Sequence, residues 1–301
     1  MTQSNRPEQD DMDEVLRRMQ SEFGPRREER EPERLPAPDE RYGGWGGGYG
    51  DAEPIPQQTY QVRLPFYRAR VWVVLLAINV VIFVVPALLD LVGVTVLDLP
   101  VSRVISALGA KVNEAIYADG QFYRFLTAMF LHGGLLHILF NGYALYSLGP
   151  ETERIYGTPR FLLIYFIAGF AGGVASYALS PNPSVGASGA IFGLIGALAS
   201  FYYVSRSFLG DLARQQLGSL ITVIMINLFI GFSTPMIDNY AHLGGLFGGA
   251  LLGWLLAPRL TLDTRLFPPE AIRRQLPLDW AWALGVLLVL VGVVMVIVPP
   301  L

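Results

Sequence analysis

Gly186-Ala187-Ser188-Gly189-Ala190-Ile191-Phe192-Gly193-Leu194-Ile195-Gly196 follows the breaker cluster Ser180-Pro181-Asn182-Pro183 and opens an uncharged apolar run that continues to about residue 204. The prolines end one element, and the run after them reads as a membrane helix that begins near Ser188. A serine at that point lies among the free N–H groups and the positive dipole end of the helix, which favour a developing negative charge. A serine nucleophile needs a partner base. The chain has 3 histidines, His132, His137 and His242, each in or at the edge of a hydrophobic segment. Ionisable groups at membrane depth are costly, which makes all of them functional candidates.

Around that stretch the chain is a membrane protein by composition. Its 301 residues are 52% hydrophobic and only 16% charged, with a mean hydropathy of +0.41. Several apolar stretches reach the ~18–20 residues that cross a bilayer. Spans are expected at about 70–92, 122–148, 159–179, 185–204, 217–234, 240–257 and 280–298, the last opened by the interfacial pair Trp280 and Trp282. Residues 93–120 carry Asp98, Arg103, Lys111, Glu114 and Asp119; Val101, Val104, Ile105 and Leu108 have helical spacing, which predicts a short amphipathic helix in the interface. The absence of cysteine excludes a disulfide framework, thiolate catalysis and a cysteine metal site.

Residues 1–65 are charge-rich, with the run Arg26-Arg27-Glu28-Glu29-Arg30-Glu31 and the glycine-rich stretch 43–50. Such a segment buries too little apolar surface to offset its ordering entropy, so it reads as a disordered cytoplasmic tail without a signal peptide, with at most a short helix over 10–22. The expected organisation is this tail, a catalytic membrane domain over 66–257, a cytoplasmic loop over 258–279 and an additional helix over 280–301. Orientation follows from the basic residues. Arg63, Arg68, Arg70, Arg154, Arg160, Arg206, Arg214, Arg259, Arg265, Arg273 and Arg274 fall at alternate ends of the spans, whereas the other side has Arg103 and Lys111, with Arg124 at the edge. The N-terminus is therefore expected in the cytoplasm and the C-terminus outside. Ser188 and His242 both fall near outer ends.

The chemistry lies in three spans. His242, Gly245, Gly249 and Gly253 fall along one helical face, and Gly189, Gly193, Gly196 and Ser200 along another. Two glycine-striped helices can pack closely and bring His242 to Ser188. His137 and Asn141, four residues apart, share a face and offer two donors for an oxyanion. His132 falls on a different face, nearer the outer end, where a structural role competes with a catalytic one. Asp238, one turn before His242, reads as a helix-start cap rather than a third catalytic member. A metal site is disfavoured, because there is no His-x-x-x-His pair and no His-Glu-x-x-His motif.

Together, His132, His137 and Asn141, Gly186-Ala187-Ser188-Gly189, and Ala241-His242 with Gly245 and Gly249 resemble the rhomboid family of intramembrane serine proteases over roughly 66–257. The resemblance implies an all-α polytopic bundle of six transmembrane helices plus a C-terminal seventh. It implies a Ser188–His242 dyad, an oxyanion hole from His137, Asn141 and the Ser188 backbone, support at Gly186, and Phe192 packed on the catalytic imidazole. Gly149, Glu153 and Gly157 resemble the family's Gly-x-x-x-Glu-x-x-x-Gly stretch, a structural element. Tyr123-Arg124 departs from the Trp-Arg that many members carry. The expected activity is endopeptidase cleavage of single-span membrane proteins within the lipid bilayer, with no cofactor, no metal and no nucleic acid partner. The competing readings are an inactive rhomboid-like protein that binds membrane clients, and a channel or transporter, which the lack of an inverted repeat disfavours.

Overall fold

A computed structural model describes residues 66–301 except 235, 264, 266–269 and 275–278. The tail expected over 1–65 lies outside the described residues. In order, the elements are α1 (Val71–Leu91), β1 (Thr95–Val96), β2 (Leu99–Pro100), α2 (Val101–Gly109), α3 (Asn113–Tyr117), α4 (Arg124–Thr127), a 3-10 turn (Ala128–Phe130), α5 (Leu135–Tyr156), α6 (Thr158–Leu179), α7 (Ser188–Val204), α8 (Arg206–Leu209), α9 (Asp211–Ser233), α10 (Asn239–Leu256), β3 (Arg259–Asp263), β4 (Glu270–Arg274) and α11 (Asp279–Val296). By length and composition α1, α6 and α9 can each cross a bilayer, the bent pair Arg124–Phe130 and α5 can form a fourth span, and α7 and Trp280–Val296 are shorter apolar helices. The architecture is a mostly helical, polytopic membrane bundle. Large apolar side chains such as Val81, Leu88, Leu136, Phe229 and Met295 face outward, as lipid requires.

Three details differ from the sequence expectation. The second span is not one helix over 122–148: it breaks at His132-Gly133-Gly134, bends by 92°, and restarts at Leu135. Paired glycines have no side chains to pack a helix there and lose the most backbone entropy on ordering. The connection over 93–120 contains the expected helix, as α2, but also the β1–β2 ladder and α3. The loop over 258–279 contains the antiparallel pair β3–β4, from Arg259↔Arg274 to Asp263↔Glu270.

The centre of the bundle is α10, wedged between α7 and α6. A Cβ on Gly249 or Gly245 would enter the backbone of Gly193 or Gly189, and one on Gly253 would enter that of Ala197. Gly244 and Gly248 form a second small face against Ala171 and Ala175 of α6. Ser200 Oγ donates to Ala250 O at 2.7 Å. The fully buried Tyr156 donates to both Ala197 O (2.8 Å) and Gly253 O (3.0 Å), which pins the far end of the α7–α10 crossing. Phe161, Tyr165, Leu194 and Leu198, all fully buried, fill the surrounding core.

The Gly149, Glu153 and Gly157 stretch is structural. Glu153, fully buried, accepts from the backbone N–H groups of Arg70 (3.0 Å), Val71 (2.9 Å) and Trp72 (3.1 Å), and from Thr158 Oγ1 (2.6 Å). One carboxylate thus caps α1 and ties it to the start of α6. A Cβ on Gly149 would lie 2.9 Å from Trp72 Cβ, so α1 and α5 need glycine there. Glu153→Ala is expected to cost about 2 kcal/mol, because it leaves buried N–H groups without an acceptor. The midpoint of thermal unfolding in detergent measures this, and a midpoint equal to wild type would refute the cap.

Candidate active site

Ser188 is the first residue of α7 and is half-buried. The segment before it is held by Gly186 N donating to Ala128 O at 2.9 Å. Gly186 has φ +130, a conformation that L side chains rarely adopt, and a Cβ there would lie 2.7 Å from His137 Nε2. Glycine is therefore required twice over, by conformation and by the imidazole against it. Ser188 Oγ lies 3.6 Å from the same point, so His137 and Ser188 share the space around Gly186.

His242 lies in the first turn of α10, 8% exposed. Its ring stacks on Phe192 with centroids 4.3 Å apart and planes 12° from parallel. Phe192 is one turn after Ser188 on α7, so the stack sets the imidazole plane from the helix that carries the serine. The backbone gives the level: a Cβ on Gly189 would lie 3.4 Å from Ala241 O. The residue after Ser188 therefore meets the residue before His242. None of the hydrogen bonds formed among the described residues joins Ser188 Oγ to His242, and His242 Nδ1 is buried without a partner.

His137 and Asn141 both belong to α5. His137 Nδ1 accepts from Gly133 N at 3.3 Å. In the neutral ring this leaves the proton on Nε2, the atom beside Gly186. Asn141, 7% exposed, donates one amide N–H to His137 O at 3.0 Å. His132 lies in the break before α5 rather than on a helix face, a placement that the continuous second span concealed. It is 8% exposed, and its ring meets that of His137 edge-on at 5.1 Å. Among the described residues, neither ring nitrogen of His132 hydrogen-bonds to Ser188, His137 or His242.

Asp238 caps α10: Oδ1 accepts from Ala241 N at 3.0 Å, and Oδ2 accepts from Ser176 Oγ of α6. Its carboxylate makes no hydrogen bond to the His242 imidazole among the described residues, while its backbone O accepts from His242 N at 3.2 Å. The Tyr123-Arg124 pair fastens the end of α2. Arg124 donates to Ala107 O (3.0 Å) and Ala110 O (2.8 Å), and Tyr123 OH donates to Leu108 O (3.2 Å). The tyrosine hydroxyl thus supplies an anchor of its own at this position.

The Rhomboid domain model matches residues 119–259, a range that contains His132, His137, Asn141, Ser188 and His242. "Rhomboid protease GluP" of Bacillus subtilis (strain 168) is 50% identical over 143 residues, which cover 48% of this chain and 27% of GluP. "RHOMBOID-like protein 7" of Arabidopsis thaliana is 37% identical over 158 residues, 52% of this chain and 50% of that protein. "Putative rhomboid protease YdcA" of Bacillus subtilis (strain 168) is 36% identical over 140 residues, 46% of this chain and 69% of YdcA. The chain thus spans half or less of the first two relatives and most of the third. With 36% identity over 69% of YdcA and the Rhomboid domain match covering every candidate residue, the chain belongs to the rhomboid family.

Proposed function

We propose that this chain is an intramembrane serine endopeptidase that hydrolyses peptide bonds in or near the transmembrane segments of membrane-anchored proteins. The observation that carries the reading is the register of α7 on α10, which sets the Ser188 and His242 turns at one level with Phe192 stacked on the imidazole. The names of GluP and YdcA as rhomboid proteases support it.

Ser188 Oγ attacks the scissile carbonyl while His242 takes its proton. The same imidazole then protonates the leaving amine, and water hydrolyses the acyl-enzyme with His242 again as base. Negative charge on the tetrahedral oxygen is held by the Ser188 backbone N–H, His137 Nε2–H and the Asn141 amide. Loss of Asn141 or His137 (each to Ala) is expected to lower kcat by about 10–1,000-fold through lost transition-state stabilisation. His132, without a hydrogen bond to the site, is assigned a supporting role, and His132→Ala is expected to be milder. Steady-state kinetics on one substrate rank the three; if His132→Ala were the most damaging, these roles would be wrong.

The alternation of arginines supports a cell-membrane protein with a cytoplasmic N-terminus, six spans in the catalytic unit, α11 as the seventh, and the site open to the outer side. Its partners are single-span membrane proteins presented from lipid. The deciding experiment reconstitutes the full chain in liposomes with a panel of single-span proteins and reacts it with a fluorophosphonate probe. Cleavage and labelling, both lost in Ser188→Ala, are expected. A well-folded wild type that neither cleaves nor labels would reject the protease in favour of an inactive client-binding protein.

A further inference from the structure

Behind Ser188 and His242 lies a second polar cluster. Lys111 is only 1% exposed, in the segment between α2 and α3. Its ammonium donates to Asn113 Oδ1 (2.9 Å), Ser176 O (3.3 Å), Ser180 O (3.1 Å) and Asn182 O (2.9 Å). Every one of these acceptors is neutral. Ser176 O and Ser180 O belong to the end of α6, the negative pole of its dipole. Burial pushes the Lys111 ammonium down to about 8, and the carboxylate of Asp238 works in the opposite direction. A lysine is an expensive way to cap a helix, since burying its charge costs more than the neutral acceptors return. The position therefore needs another explanation.

The side chain and the backbone of the residue supply it together: the ammonium that reaches Ser176 O also holds Ser180 O and Asn182 O, in the segment that leads to Ser188. Lys111 N donates to Ser184 O at 2.9 Å and Ser184 N donates to Lys111 O at 3.0 Å. This two-way bridge grips the 180–187 segment four residues before Ser188. On the other side Asp238 holds the first turn of the His242 helix through Ala241 N. Both grips end on Ser176: its carbonyl accepts from Lys111 and its hydroxyl donates to Asp238. A cavity of about 30 Å³, lined by Lys111, Ser176, Gly186, Ser188 and Ala241 among others, places the cluster directly against the nucleophile's turn.

We propose that Lys111, Ser176 and Asp238 are positioning residues that align Ser188 with His242 from behind: Lys111 holds the 180–187 segment leading to the serine, Asp238 the turn carrying the histidine, and Ser176 joins the two. The proposal rests on the protease reading above. None of the three touches substrate. Their effect is on the mutual placement of two groups whose reaction tolerates little displacement.

The test uses the full chain in liposomes, as wild type, Lys111→Met, Ser176→Ala, Asp238→Ala and the double variant Lys111→Met/Asp238→Ala. Ser176→Ala removes one hydroxyl from a tightly packed helix, so it keeps the test informative if the charge variants fold poorly. Active sites are counted by complete fluorophosphonate labelling, and kcat is expressed per labelled site. Each single variant is expected to lower kcat per labelled site by about 10–100-fold, the cost of a small misplacement of reacting groups. KM should stay within about twofold, since no binding contact is lost. The rate of fluorophosphonate labelling should fall in parallel, and Ser176→Thr should restore it. The double variant should be less impaired than the product of the singles, because both act through one bridge. If kcat per labelled site is unchanged while only the labelled fraction falls, the cluster stabilises the fold alone and the proposal is overturned. Multiplying single effects, or wild-type kinetics in Ser176→Ala, also overturn it while leaving the protease intact. A wild type that neither labels nor cleaves instead removes the protease reading on which the bridge depends.

Discussion

Ser188→Ala is expected to abolish cleavage, with kcat falling by on the order of 10⁴-fold or more, as for other serine-protease nucleophiles. His242→Ala should match it, because a serine hydroxyl without its base is a poor nucleophile. The two losses should not multiply: the double variant should be about as slow as either single one, since the pair acts as a unit. Folding should change little. Ser188 is half-buried at a helix start, and its side chain makes no hydrogen bond among the described residues. His242 contributes its stack on Phe192, so His242→Ala should lower thermal stability slightly more than Ser188→Ala. The measurement is single-turnover cleavage in liposomes, with the thermal midpoint in detergent as the control. Near wild-type rates in either folded variant would end the dyad assignment, whatever the geometry around it.

The largest effect on stability is expected at the α7–α10 crossing. Gly249→Val places a branched side chain where the Gly193 backbone already lies, and Gly245→Val does the same against Gly189. Neither neighbour is the far end of a flexible side chain, so the helices must separate. A cost of about 3 kcal/mol, the upper part of the range for overpacking, is expected for each. Activity should disappear with stability at Gly245, because that contact is one turn from His242 and opposite the residue after Ser188. At Gly249, one turn deeper, a folded fraction should retain weak cleavage. Gly292→Val in α11 is the control, since a Cβ there meets nothing within 4 Å. Thermal midpoints and cleavage rates for the three variants test this, and a stable, active Gly249→Val would show that the helices tolerate a wider crossing.

Both expectations bear on how much of this protein can be read from its residues alone. The membrane class and the positions of most helices were legible, because they depend on local properties. A charge-free run must be buried in lipid, a proline cluster must break a helix, and a glycine every third or fourth residue marks a close crossing. The expected runs at 159–179, 240–257 and 280–298 agree with α6, α10 and α11 to within about two residues. The break at His132-Gly133-Gly134 was in the letters too, but hydropathy averaged over a window passes across two glycines without registering them.

What the chain could not announce is which oxygen each donor meets. Asp238 as a cap was within reach of sequence, because N-capping is local. Its second bond, to Ser176, joins residues 62 apart. Lys111 looked like an ordinary interfacial cation among Asp98, Arg103 and Glu114, yet it is buried against the end of α6 and bridged to Ser184. Gly186 could be recognised as part of a motif, but the reasons for glycine there, φ +130 and the His137 ring, need α5 and the 180–187 segment to be folded together. Short-range periodicity determined what most of the helices are and, with the motif resemblance, which residues to propose for the chemistry. Only tertiary packing, through hydrogen bonds and backbone contacts between distant segments, decided how Ser188 and His242 are brought to one level.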